Sequence, residues 1–281
     1  TKLMDESPIE ELADKLNGRF NIDSAMWSLA LECVFQDEGY FTRGSDYNLY
    51  LDPDGRFHLL QHDGNEVMNI PGGPGMPSGL RGPKHEPFYN ADNPDRPLMY
   101  KLFQVPHFKA RYRHHLKTIT QEWITWDKIG PLVEGYAALI RDEVKKDVRK
   151  HSSYEAFEKG LIQTSSDGRR TKLGLRPFTE GRREFLLNHP EVNLPAPEIV
   201  SVTELDEAKS TDSIRIAAET TGETLAKTIF LWFADGKNEP YKQMAMQHDG
   251  QANGGVFTAN IPAQLAGKKI RYYVEARSDG A

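Results

Sequence analysis

The stretch "SDYNLYLDPDGRFHLLQHDGNE", residues 45–66, crowds Asp46, Asn48, Asp63, Asn65 and Glu66 around two short strand-like runs. The runs "YNLYL" and "RFHLL" are separated by Asp52-Pro53-Asp54-Gly55. Pro at the first corner and Gly at a left-handed position fit a type I turn followed by a bulge, so the stretch reads as a hairpin. If Asp52 faces Arg56 across the turn, Asp46 falls opposite His62. Asp46, Asp63 and, one step inward, Asn48 then collect at the open end. Carboxylates that close repel one another unless one takes a proton or a cation lies between them. Oxygen donors in a half-open cluster suit Mg²⁺, which keeps waters and phosphate oxygens in its shell. A hairpin that simply ends in solvated polar residues is the other reading, and spacing alone leaves both open. His58 and His62 share a face, but no third ligand at zinc spacing accompanies them. The Asp pair in the turn lacks the full spacing of a calcium loop.

These residues need elements to position them. Upstream, "SPIEELADKL" has a helix start, with Ser7 as N-cap and Pro8 at the first helical position. "NIDSAMWSLALECVF" follows as a buried helix, with Asp23 as its cap and Trp27, Leu31 and Val34 at helical spacing. It ends near Gln36, which leaves Asp37 directly after a helix C-terminus. Residues 71–97 hold seven Pro and five Gly, a composition that excludes a helix or central strand and predicts a long irregular loop. Residues 98–190 read as all-helical. His114 and His115 fall on a basic helix there, where a solvated or rim face, rather than a metal site, is the expectation. "LPAPEI" then marks a stiff link, and beyond it "SIRIAAE", "KTIFLWF", "YKQMAMQ", "VFTANIP" and "KIRYYVEAR" alternate as short strands. The fold class is α+β: a mostly helical region with a hairpin carrying the candidate site, then an antiparallel all-β sandwich. The domains expected are 1–193 and 194–281.

Of the 281 residues 38% are hydrophobic and 27% charged, with formal net charge −6. The pI is about 5.9 and the mean hydropathy −0.62. A mildly acidic chain without a Lys/Arg block offers no electrostatic case for nucleic acid or an anionic membrane. No stretch approaches the roughly 18 apolar residues of a spanning helix. The single cysteine, Cys33, excludes an internal disulfide and reads as a small buried hydrophobe. The chain begins at Thr1 without an initiator Met or signal peptide and stops just after a strand-like run, as expected of a fragment cut at both ends. It carries no signal for oligomeric state.

Asp37 followed by "SDYNLY" and "DGRFHLLQHDGNE" resembles the spore-coat CotH kinase family. So do "LFQVPHFKARYRHHL" and "GLRPFTEGRREFLL", and the likeness runs in the family's order over residues 1–190. The segment "MQHDGQANGGVFTANIPAQLAGKKIRYYVEARSDG" is similar to the end of an Ig- or fibronectin-III-like module. The resemblance implies the C-lobe of an atypical secreted protein kinase that moves phosphate from ATP to Ser/Thr of a protein, with Mg²⁺ or Mn²⁺. Kinase chemistry needs a carboxylate that orients the acceptor hydroxyl and metal ligands that hold the phosphates. Asp37 falls at the catalytic-loop Asp, Asp46 at a metal-binding position the family usually fills with Asn, and Asp63 at the metal-binding Asp. Asn48, on the face of Asp46, is the substitute ligand. The acid at position 46 and the inserted "GYFTRG" also fit a pseudokinase acting as a coat or surface binding protein. No Gly-rich loop or strand lysine precedes residue 23, so a nucleotide-binding lobe is expected upstream of Thr1. The location implied is extracellular or the cell envelope. A carbohydrate-active enzyme pairing Asp37 with Asp63, with Tyr40, Phe41 and Tyr47 as a sugar platform, is a further alternative.

Overall fold

The computed structural model of the chain describes residues 2–37, 47–62, 64, 67–68, 82–166, 171–205, 207–209, 212–221, 228–236, 239–248, 250 and 255–278. Two short helices, α1 (Lys2–Glu6) and α2 (Ile9–Leu16), lead into α3 (Ile22–Phe35). Pro8, not Ser7, stands at the N-cap of α2, and Ser7 is buried. At α3 the cap is Asn21, whose side chain accepts the Ser24 N–H; Asp23 lies one turn position inside. The centre of α3 is apolar all round, so it is covered from several sides, as a helix without a polar face must be. Ala25, Met26, Leu29, Ala30 and Cys33 are fully buried.

The hairpin forms as the sequence predicts. Strands β1 (Asn48–Leu51) and β2 (Phe57–Leu60) pair with Asn48 opposite Leu60 and Leu51 opposite Phe57. The Asp52 N–H donates to the Arg56 carbonyl at 2.9 Å, and Gly55 takes φ 81°, the left-handed value a bulge requires. Asp52 Oδ1 accepts the N–H groups of Asp54 and Arg56, which closes the turn. On its outer edge β2 is stitched to the chain ahead of α3: Asn21 N–H donates to Phe57 O and Phe57 N–H to Arg19 O. Leu59 is buried in the helical core, and the Gln61 amide donates to Ser28 O on α3.

After the described part of the Pro/Gly-rich segment, with its single 3₁₀ turn at Gly82–Lys84, come α4 (Pro97–Phe103) and α5 (Pro106–Thr118). Helix α5 packs along α3 through Phe108, Tyr112 and Leu116 and continues as a π-turn over Ile119–Trp123. Then follow α6 (Trp126–Lys146), α7 (Tyr154–Ile162) and α8 (Leu175–Asn188). The expectation of an all-helical stretch is corrected at one place. Strands β3 (Ser165–Ser166) and β4 (Thr171–Lys172) pair between α7 and α8, too short to leave a periodic signal.

The C-terminal part is a sandwich. One antiparallel sheet has the order β5 (Glu198–Val202), β6 (Ile214–Thr221), β10 (Gly255–Ile261), β9 (Gln247–His248). The other has β11 (Arg271–Arg277), β7 (Thr228–Ala234), β8 (Lys242–Ala245). Strand β5 escaped the sequence reading because Pro195 and Pro197 sit immediately before it. Ile216, Phe257 and Ile261 from the first sheet meet Ile229, Leu231 and Phe233 from the second in one apolar cluster. The helical core, from Leu12 to Val192, is a separate cluster that shares no residue with it.

Candidate functional site

Helix α3 ends by delivering Asp37. Gln36 adopts the left-handed conformation at φ 54°, so the Asp37 N–H turns back onto Glu32 O at 2.9 Å and the Gln36 N–H onto Cys33 O at 3.3 Å. This is the Schellman closure of a helix C-terminus, usually built on Gly because a side chain there is strained. Here Gln36 is held in it by its own amide, which donates to Gly82 O. A strained residue beside a candidate site is a common place for function. Two carbonyls of the last turn take donors from distant segments. Met68 N–H donates to Phe35 O at 2.7 Å, and Arg182 Nη2 donates to Cys33 O at 2.8 Å.

Among the described residues Arg182 is the largest fully buried side chain. From α8 it reaches Cys33 O with one arm of its guanidinium and the carbonyls of Pro83 and His85 with the other. At Gly181 beside it, a Cβ would lie 3.2 Å from the Pro83 side chain, so the two segments approach closely there. One arginine therefore fixes the end of α3 against the 82–85 segment. Burial, with the positive charge of Arg182 adding to it, pushes the neighbouring His85 down to about 4, so that imidazole is neutral at physiological pH.

Glu32 lies one and a half turns before Asp37. It is 4% exposed, and its Oε2 is buried without a hydrogen-bond partner among the described residues. Burial, with the Asp37 carboxylate adding repulsion, raises its carboxyl to about 8. Asp37 itself is 3% exposed. Two acidic side chains thus stand at the C-terminal, negative end of a helix dipole, an arrangement that favours positive charge. The sequence reading passed over Glu32 and Arg182. The signal for Glu32 was present: it is the one acid in the second half of an otherwise apolar helix, "SLALECVF".

The predicted ligands divide. Asp46 and Asp63 lie outside the described residues. Asn48 is on β1, which is exposed along its whole length, and shares the face of Tyr50 and His58 rather than the face of Leu59 that enters the core. What the structure does establish is that the segments flanking position 63 are pinned along α3, Gln61 at Ser28 and Met68 at Phe35. His58 is taken by the hairpin itself, with Nε2 2.8 Å from Asp52 Oδ2 and Nδ1 3.3 Å from the Asn21 amide. Among the described residues no three His, Cys, Asp or Glu side chains gather as a metal site. Cys33 is fully buried and burial pushes its thiol up, which keeps it an inert core group.

The histidine pair departs from expectation. His114 is exposed, but His115 is buried, stacked on Trp27 at 4.0 Å, with Nε2 3.1 Å from Asp23 Oδ1. Burial works against the Asp23 carboxylate, yet the His115 hydrogen bond and the charges of His115 and Arg111 hold it below its ordinary range. This pair fastens the start of α3 to α5, as Arg182 fastens its end to α8. No helix among the described residues is long and apolar enough to cross a membrane.

Comparison with known proteins agrees with this architecture. A search of curated proteins finds no match. The model of the family described as CotH kinase protein matches residues 1–186, from the first helix through the body of α8. That span holds the hairpin, the Asp37 turn and the Arg182 anchor together, and the chain belongs to the CotH kinase protein family.

Proposed function

We propose that residues 1–193 form the acceptor-orienting and metal-holding half of a site for ATP-dependent phosphoryl transfer to Ser or Thr of a protein. The observation that carries this reading is the buried pair Glu32 and Asp37 at the negative end of α3, where burial and mutual repulsion raise Glu32 to about 8. The donor set is all oxygen, which fits Mg²⁺ or Mn²⁺. In this assignment Asp63 and Asp46 hold the metal, with Asn48 as the alternative ligand to Asp46. A divalent ion would neutralise charge on the transferring phosphoryl group. Asp37 orients the acceptor hydroxyl and receives its proton as the oxygen bonds to the γ-phosphorus and ADP departs.

The burial of Asp37 favours a second reading, in which the lobe is non-catalytic and the protein is a binding component of a coat or cell surface. An acceptor-orienting carboxylate must be reached by its acceptor, and this one is 3% exposed. Residues 194–281 are then the binding module. Their two sheets, ordered β5-β6-β10-β9 and β11-β7-β8, support an Ig- or fibronectin-III-like assignment. An extracellular or envelope location goes with either reading.

Thermal shift and γ-phosphate transfer on the full-length protein separate the two. Under the kinase reading, ATP with Mg²⁺ or Mn²⁺ raises the melting temperature, and Asp63→Ala abolishes both that shift and transfer. Asp37→Ala keeps the shift but slows transfer by roughly 10²–10⁴-fold, the usual worth of a positioned acid–base group. Asp46→Asn is tolerated, because it keeps an oxygen and removes a charge. A metal-nucleotide shift without any transfer points to the binding protein. Wild-type transfer in both Asp37→Ala and Asp63→Ala would sink the kinase assignment of these residues.

A further inference from the structure

Helix α6 is the longest helix described, 21 residues or about 31 Å, and Ala137 is its one buried residue. One face is occupied. Arg141 bonds Glu134 on the same helix and Glu158 on α7, and Ala137 packs inward on that side. The adjoining face is apolar and open. Leu132 is 60%, Tyr136 69% and Leu139 78% exposed, and Ile140 extends the patch. Leu132, Tyr136 and Leu139 fall at i, i+4 and i+7, a continuous stripe along one side of the helix. Such a stripe on a mean-hydrophilic chain calls for a partner.

The order of residues on the stripe specifies which partner. Lys128 lies at its N-terminal end and Glu143 at its C-terminal end, each on the same side as the leucines. Gly135, at the middle, has nothing within 4 Å of the position a Cβ would take. Lay a second α6 antiparallel across the first, with Gly135 facing Tyr136 of the second copy. Leu132 then faces Leu139 of the second copy, and Lys128 faces Glu143 of the second copy. Every pair recurs on the other side of the two-fold axis. A stripe that complements itself in charge, size and apolar contact is what an isologous dimer interface needs. The present partners of the two charges are weak surface contacts: Lys128 lies 5.1 Å over the Trp123 ring, and Glu143 pairs with Lys146 three residues on.

We propose that this chain self-associates through α6, antiparallel and two-fold, with Lys128–Glu143 pairs closing both ends of a Leu132–Tyr136–Leu139 seam. The surface lies on a different helix from the Asp37 turn, so the proposal stands apart from the phosphoryl-transfer reading. A single helix pair of this length falls at the low end of specific interfaces, at or below about 1,200 Å². The dimer is therefore expected to be weak and concentration-dependent.

Sedimentation velocity on the 281-residue chain tests this. The mass should rise with concentration from the 31.8 kDa monomer towards twice that value. Leu139→Glu should hold the protein monomeric at every concentration with its circular dichroism unchanged, since Leu139 is on the surface. Lys128→Glu and Glu143→Lys should each weaken association about tenfold or more by setting like charges opposite one another at both ends. The double variant K128E/E143K should recover it, because the pairs are then complementary again. A monomer throughout the concentration range overturns the proposal, and so does a double variant as weak as either single one. A dimer that survives Leu139→Glu overturns it equally.

Discussion

A carboxyl that keeps its proton to about pH 8 leaves a mark on stability. Below its ordinary value of 4.5, Glu32 is protonated in the folded and the unfolded chain alike. As pH rises from there towards about 8, the unfolded chain releases the proton and the folded chain retains it, so stability falls through that window and levels off above it. Each unit of displacement corresponds to about 1.4 kcal/mol, which puts the loss on the order of a few kcal/mol. Glu32→Gln keeps the shape and cannot ionise. Urea unfolding should give similar stabilities for the two proteins near pH 5 and a more stable Gln variant near pH 8. Parallel pH dependences would show that Glu32 is not held protonated. At this scale the sequence exposed Asp37 readily, because it stands directly after an apolar helix. It hid the fact that Glu32 shares that site, because whether an acid on a helix is buried depends on what packs over it.

Both ends of α3 are held by side chains from distant elements, His115 at its start and Arg182 at its end, and these are the least legible part of the sequence. The hairpin could be read to its register, since Asp-Pro-Asp-Gly dictates a turn geometry and the turn dictates pairing; Asn48 does face Leu60 as that register requires. The stop of α3 at Gln36 was also legible from where the apolar run ends. What holds that stop was not, because Arg182 lies 149 positions from Cys33 in the chain. Arg182→Met preserves much of the buried volume but removes the arginine donor from the carbonyls of Pro83 and His85, and leaves Cys33 O with the Gln36 N–H alone. At about 1–3 kcal/mol for each unsatisfied buried group, the expected loss for the two carbonyls is about 2–6 kcal/mol. Hydrogen exchange is the informative readout, because the amides of Gln36 and Asp37 should exchange faster than those in the middle of α3. Arg182→Lys should rescue little, as one ammonium does not span acceptors on two sides. Unchanged protection at Gln36 and Asp37 in the Met variant would mean that the Schellman turn is self-sufficient.

The molecule has two apolar cores, and the change of periodicity after "LPAPEI" announced them, with residues 193–196 exposed between them. The contact between the two parts was not announced, since it is made by single residues far apart in the chain. Arg111 on α5 donates to Glu275 on β11 at 3.3 Å, and Trp232 and Arg277 donate to the other Glu275 oxygen. The Asn17 amide donates to Tyr241 O, and Gly18, at φ 75°, brings the turn after α2 against Pro240, where a Cβ would come within 3.0 Å. Burial opposes the Glu275 charge, but Arg277 and Arg111 outweigh it and hold the carboxyl below its ordinary range. A depressed carboxyl contributes stability at neutral pH that is lost as pH falls through its folded value, so acid should loosen this contact. Reversing one charge should do the same at pH 7. Arg111→Glu sets a carboxylate against Glu275 and near Asp23, whereas the two cores contain neither residue. Small-angle scattering should show a larger radius of gyration for the variant, with unchanged circular dichroism. Protease should then cut within 193–196 faster than in the wild type, and the fragments of about 190 and 85 residues should separate on gel filtration with each still folded. A variant as compact as the wild type would show that the Pro-rich link and the Gly18–Pro240 contact suffice to seat the sandwich. Loss of helical signal on cleavage would show that residues 1–193 depend on the sandwich to fold.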